Sequence, residues 1–221
     1  MFGEAFDGRD DLIGSFTFNG EVDSTFYFSQ KFQVYDNVFK YGGATRAIED
    51  LWTARQTNYA DQPHENGIGV PQQQVLVNFM DNHDVPRFLW PANTVAALHS
   101  ALFLLLTQDG IPCLYYGTEQ QFAGGNDPTN REPLWWSGYD TTNPTFQHLR
   151  ALIDLRKQYA PLRRGDLTVR WSTDSVADEQ DAGIFAFERS LDGETVLVVV
   201  NSRDAAAETS STTTGGTDML T

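Results

Sequence analysis

The chain has 221 residues, 40% of them hydrophobic and 13% aromatic, and carries a net charge of −15. That length allows a substantial core, while the acidity argues against a polyanionic partner such as nucleic acid, which needs clustered Lys and Arg. The longest apolar cluster, residues 101–106, falls far short of the roughly 20 residues that span a bilayer, so it reads as part of a buried helix and no membrane partner is expected.

In chain order, Met1 to Glu4 reads as the last residues of a buried strand entering the loop 5–8. Three residues before Glu4 are too few to complete that strand, which predicts further chain upstream. Residues 22–28 contain a strand. Residues 31–39 have helical apolar spacing, Gly42-Gly43 breaks it, and 44–55 reads as a helix followed by a polar loop to 74. Residues 75–79 form a strand too continuously apolar to be half-exposed, as in a parallel sheet covered on both faces. Beyond Pro86 and Pro91, Asn93 or Thr94 caps a helix through Leu106. Gly110 ends that connection, residues 111–116 read as another short buried strand, and a loop rich in Gly, Asn, Asp and Pro leads to Gly138. Cys113, the single cysteine, lies in this apolar run and reads as a packed thiol rather than a nucleophile.

Residues 146–159 have the spacing of an amphipathic helix. Strand alternating with helix is the rhythm of an α/β barrel. Near residues 162–166 the pattern changes to β only, with strands at 167–171, 183–189 and 195–200 separated by turn residues. From Ser202 the sequence is rich in Ala, Ser, Thr and Gly without periodicity, and fits either a strand pair or disorder. No internal repeat and no metal-ligand cluster is apparent.

Two carboxylates stand at the ends of expected strands: Glu4, and Asp84 in the run Phe79-Met80-Asp81-Asn82-His83-Asp84. They meet only if loops from different strands converge on one mouth, as at the C-terminal face of a (β/α)8 barrel. Such a pair suits acetal hydrolysis, which needs a protonated carboxyl to aid the leaving oxygen and fixed negative charge to stabilise an oxocarbenium-like transition state. Taken singly, Glu4 is a solvated strand-end acid, Asp84 a loop cap and His83 a satisfied core histidine; their order and context favour chemistry. Asp127 and Arg131 form either a loop salt bridge or a sugar grip. Tyr115, Tyr116, Trp135 and Trp136 offer faces for sugar, with barrel packing favoured for most of them.

These segments together resemble the α-amylase family of retaining glycoside hydrolases. Gly3-Glu4-Ala5-Phe6-Asp7-Gly8 is similar to the family's acid/base segment, residues 79–84 to the segment of its transition-state-stabilising aspartate, and residues 110–120 to its eighth barrel strand. Residues 124–132 resemble a sugar-binding loop of the fungal-type and cyclodextrin-processing branches. The resemblance is good over residues 1–165, loose to about 201 and absent in the tail.

It implies Glu4 as proton donor and later base, Asp84 as the clamp on the distorted sugar, His83 as a hydrogen-bond partner of the ring being cleaved, and Asp127 with Arg131 as the grip on the next sugar. It implies an α/β fold made of a partial (β/α)8 barrel, strands 5 to 8 in residues 1–165, followed by an incomplete antiparallel, sandwich-like β domain in 166–221. The implied activity is retaining hydrolysis of α-1,4-glucosidic bonds in starch-like glucans. Transglycosylation by a related enzyme and non-catalytic carbohydrate binding are the alternatives. The family nucleophile, an aspartate on the fourth strand, and the small domain that carries calcium would both lie upstream. No cofactor or metal ligand is therefore expected in this chain, and calcium is expected in the full-length protein. The resemblance suggests an extracellular or periplasmic setting.

Overall fold

The computed structural model describes residues 1–18 and 21–203. The tail that reads as a strand pair or disorder lies, from residue 204, outside the described residues.

Strand β1 (Phe2–Gly3) pairs in parallel with β2 (Ser24–Thr25), and β3 (Val77–Asn78) pairs in parallel with β4 (Ile111–Pro112). A parallel Phe26–Val77 bridge joins the two pairs, so the order is β1-β2-β3-β4 and all four strands end on the same edge. The ladders are shorter than the runs 75–79 and 111–116 suggest. The expected run 111–116 also departs from its expected burial: Ile111 in β4 is 47% exposed and Leu114 beyond it 37%, and among the described residues no strand pairs with the second edge of β4.

Helix α1 (Asp10–Ser15), which the sequence reading did not foresee, follows β1. It touches α3 (Arg46–Asn58) closely enough that a Cβ on Gly14 would stand 2.0 Å from Asn58 O. Between them α2 (Phe28–Gln30) runs directly into a π-helix, Lys31–Lys40. Buried Val34, Tyr35, Val38 and Phe39 supply the expected apolar face, but the winding is wider. Lys31 and Asp36 pair across it at 2.5 Å, an i,i+5 partnership that the i→i+5 turn brings to one side.

The expected cap on α4 (Val95–Thr107) is Thr94, whose hydroxyl accepts from Ala97 N at 3.0 Å. This helix is apolar on nearly every side and is buried accordingly. Its C-terminal carbonyls, which a helix leaves unpaired, are gathered by two arginines. Arg156 of α5 (Pro144–Gln158) donates to Leu106 O, Gln108 O and Gly110 O at 2.9–3.0 Å, and Arg189 donates to Thr107 O at 3.0 Å. Burial, with Arg189 nearby, pushes the Arg156 guanidinium down to about 10. In the same turn Asp109 takes a two-pronged ion pair from buried Arg55, at 3.1 and 2.7 Å.

After α6 (Ala160–Arg164) come β5 (Asp166–Trp171), β6 (Ile184–Leu191) and β7 (Glu194–Asn201), an antiparallel meander close to the expected spans. Positive φ at Asp192 and Gly193 closes the β6–β7 hairpin in the form its right-handed twist demands. The alternation of β7 buries Val196, Val198 and Val200, and Phe185 and Phe187 of β6 meet the Trp52 ring edge-on at 5.3 and 5.5 Å. One continuous core joins this sheet to α3, α4 and the residues Leu76 and Phe79 that flank β3.

Two outcomes follow from this packing. Asp109→Ala leaves the Arg55 guanidinium buried without a counter-charge and should cost about 3–5 kcal/mol in urea unfolding; a loss under about 1 kcal/mol would remove the pair from the core's support. His99 on α4 and His148 on α5 stack at 4.3 Å, and burial lowers both pKa values from 6.5. The unfolded chain therefore binds protons first as pH falls through 6.5, so stability should decline from there toward the lowered folded values. Replacing both with Gln should flatten that part of the stability–pH curve; an unchanged slope would contradict it.

Candidate active site

The loop after β3 is shaped from inside. Asp81 is buried and accepts from Phe88 N at 3.0 Å and Thr118 Oγ1 at 3.1 Å, and burial pushes its carboxyl up. Asn82 Oδ1 accepts from Asp84 N at 2.8 Å and Val85 N at 3.1 Å, a turn that lifts His83 and Asp84 into solvent. Asn130, fully buried in the loop after β4, donates through Nδ2 to His83 O and Val85 O at 2.9 Å each and to Asn82 O at 3.3 Å.

A second tie lies deeper. Arg87 has no exposed surface; its Nε donates to Glu132 at 3.1 Å, its Nη1 to Tyr116 O at 2.5 Å, and its guanidinium lies 4.0 Å from the Tyr115 ring centroid. Glu132 in turn accepts from Gly124 N at 2.6 Å. The loops after β3 and β4 are thus bound to one another by a buried charge and its partners.

On that support four of the expected residues converge. Asp84 faces His83 Nε2 at 3.3 Å and Arg131 Nη2 at 3.6 Å, while Arg131 Nε reaches Asp127 at 3.2 Å and His83 O at 3.2 Å. The Asp127–Arg131 salt bridge therefore exists, and it is also linked to Asp84. All four side chains are roughly half exposed, with values of 40–56%. Such pairs contribute little stability, and what they fix is the position of the carboxylates.

Glu4 stands on the same strand-end edge, directly after β1, exposed and without a hydrogen bond or ion pair among the described residues. Strand β2 lies between their strands, and among the described residues no hydrogen bond or ion pair links Glu4 to Asp84. A cavity of about 200 Å³ lined by Glu4, Phe16, Glu21 and Thr25 opens beside it. The larger cavity, about 440 Å³, is lined by Met1, Asp23, His64 and Glu65 and includes none of the expected site residues. Among the described residues no group of three or more His, Cys, Asp or Glu side chains is arranged to hold a metal.

The aromatic expectation needs correction. Trp135 and Trp136 are 66% and 70% exposed rather than packed, because they stand on the short turn Leu134–Ser137, none of whose residues is buried. Tyr115 packs on Arg87 and is half-buried.

The family model of the alpha-amylase catalytic domain matches residues 1–160. The chain belongs to the alpha-amylase family. A cyclomaltodextrinase of Geobacillus thermopakistaniensis is 35% identical over 79% of this chain and 29% of its own length. A cyclomaltodextrin glucanotransferase of Bacillus sp. (strain 1-1) is 36% identical over 58% of this chain and 17% of its own. Among solved structures, an alpha-amylase from Geobacillus thermoleovorans complexed with acarbose aligns with a TM-score of 0.71 at 25% identity, over 91% of this chain and 41% of that one. The chain thus spans less than a third of the length of these two curated relatives.

Sequence reasoning did not single out Arg87, Asn130 and Glu132. Their signal was at hand: Arg87 lies three residues after Asp84, and the other two flank Arg131. What the sequence lacks is any mark that these polar residues point inward.

Asn130→Ala unties three carbonyls beneath His83 and Asp84 and should cost roughly 1–3 kcal/mol in urea unfolding. Asn130→Asp keeps the shape but sets acceptor against acceptor, and should do no better than the alanine variant. A cost under about 0.5 kcal/mol for both would show that the loops are held by other means.

Proposed function

We propose that this chain carries the acid/base and transition-state-stabilising carboxylates of a retaining glycoside hydrolase that cleaves α-1,4-glucosidic bonds in starch-like glucans. The observation that carries this reading is the gathering of His83, Asp84, Asp127 and Arg131 at the strand-end edge that also bears Glu4. Glu4 donates its proton to the leaving oxygen as the C1–O bond breaks and a nucleophilic carboxylate bonds to C1, and the Glu4 carboxylate later takes a proton from the water that displaces that carboxylate from C1. Asp84 stabilises the positive charge on the ring, His83 hydrogen-bonds that ring, and Asp127 with Arg131 holds the neighbouring sugar.

Retention requires a nucleophilic carboxylate about 5–5.5 Å from the acid. We assign it to barrel strands outside these 221 residues, with residues 1–165 as strands 5 to 8 and residues 166–221 as the start of a β domain. The open arc supports this: β1 and β4 each have one unpaired edge among the described residues, and Phe2 and Ile111 on those edges are 58% and 47% exposed. Calcium belongs to the same proposal for the full-length protein, with no ligand assigned in this chain.

A second reading, transglycosylation, is favoured by the 36% identity to a cyclomaltodextrin glucanotransferase. The same glycosyl-enzyme would then be intercepted by a sugar hydroxyl instead of water. Chromatography of the products distinguishes the two, through linear oligosaccharides of falling length or through cyclic and lengthened ones.

In the intact enzyme, Glu4→Gln should lower kcat by roughly 10²–10⁴ with substrate binding nearly unchanged. Glycosides with activated leaving groups, which need little protonation, should be partly spared. Equal losses on poor and activated leaving groups would remove Glu4 from the acid role.

A further inference from the structure

Trp90 sits within the turn 88–92 that follows Asp84, where its backbone N donates to Arg87 O at 3.1 Å. Its indole lies against Gly125, two residues before Asp127: a Cβ on that glycine would stand 2.8 Å from Nε1 and 3.1 Å from Cε2. Only a residue without a side chain lets the ring settle on the loop backbone there. Lys40, the last residue of the π-helix, brings its Nζ to 5.9 Å from the Trp90 ring centroid and 5.8 Å from that of Tyr41. Both distances fall at the far limit of the roughly 6 Å range of a cation–π contact, so the ammonium stands off from the indole rather than packing on it.

Two features here serve no evident packing need. The indole is held in place yet remains 39% exposed. The Lys40 ammonium has no hydrogen bond or ion pair among the described residues, although burial already lowers its pKa. An open aromatic face, a cation with unused donors and the carboxylate of Asp127 on the adjoining loop fit a neutral polyhydroxylated ligand: its C–H face stacks on indole, and its hydroxyls accept from the ammonium and donate to the carboxylate. An anionic ligand would meet Asp84 and Asp127, and an apolar one would leave Lys40 unsatisfied.

We infer that Trp90, seated on Gly125 and flanked by Lys40, is a stacking platform for a glucosyl ring adjoining the one held by Asp127 and Arg131, and so a determinant of preferred chain length. The inference rests on the proposal that Asp127 and Arg131 bind sugar.

The test is titration of the intact enzyme, carrying Glu4→Gln to slow turnover, with maltoheptaose and with maltose, followed by NMR of the indole N–H groups, the Trp90 resonance being the one lost in Trp90→Phe. Maltoheptaose should shift that resonance. Trp90→Ala should weaken maltoheptaose binding roughly three- to tenfold, the worth of an aromatic contact, with maltose binding little changed. Trp90→Phe should stay within about twofold because the face is retained, and Gly125→Ala, which displaces the ring without removing it, should behave like Trp90→Ala. If maltoheptaose binds, Asp127→Ala abolishes that binding and the Trp90 resonance does not move, the platform is wrong while the sugar grip stands. If the intact Glu4→Gln enzyme with Trp90 and Asp127 in place does not bind maltoheptaose, both are overturned.

Discussion

The geometry of the site depends on one buried cation. Arg87 is wholly enclosed, and the cost of removing a guanidinium from water is offset only because Glu132, the Tyr116 carbonyl and the Tyr115 ring are all in place. Those partners sit on the segment after β4, whereas Arg87 belongs to the loop after β3. Neither loop can move away without stranding the charge. Asn130 repeats the arrangement one layer outward, with three carbonyls of the Asp84 loop in place of a carboxylate.

The consequence is a division of labour by depth. The exposed pairs among His83, Asp84, Asp127 and Arg131 hold each other weakly, as solvent-screened ion pairs do, and their side chains can exchange partners with a ligand. The buried layer ties their backbones together, as the proposed role of these side chains in stabilising charge would require. On the opposite side of β4, Arg156 and Arg189 collect the carbonyls at the end of α4 and fix where the strand begins. Both ends of β4 are therefore set by arginines rather than by a long ladder, in keeping with a strand of only two paired residues.

Much of this was legible in the sequence. The apolar period placed α3, α4 and α5 within a few residues, the alternation in residues 195–200 marked the face that β7 buries, and the run ending Asn82-His83-Asp84 pointed to the loop where the charged residues converge. Two kinds of feature escaped. The π-helical winding of Lys31–Lys40 shares its apolar face with an ordinary helix, so periodicity alone did not distinguish them. The inward-pointing polar residues Arg87, Asn130 and Arg189 look like surface residues until their partners, which lie 24 to 82 positions away in the chain, are known. Trp135 and Trp136 erred in the other direction, because large aromatic side chains are expected inside and these stand on a turn in which no residue is buried.

The central claim is that Glu4 and Asp84 serve one sugar-binding mouth although β2 separates their strands. A crystal structure of the intact enzyme soaked with acarbose, the ligand of the similar Geobacillus thermoleovorans structure, tests it directly. One bound molecule should have polar atoms within about 3.2 Å of both the Glu4 and Asp84 carboxylates and its adjoining ring beside Asp127 and Arg131. Acarbose bound at the cavity lined by Met1, Asp23 and His64, or contacting Asp84 with Glu4 left in solvent, would contradict it.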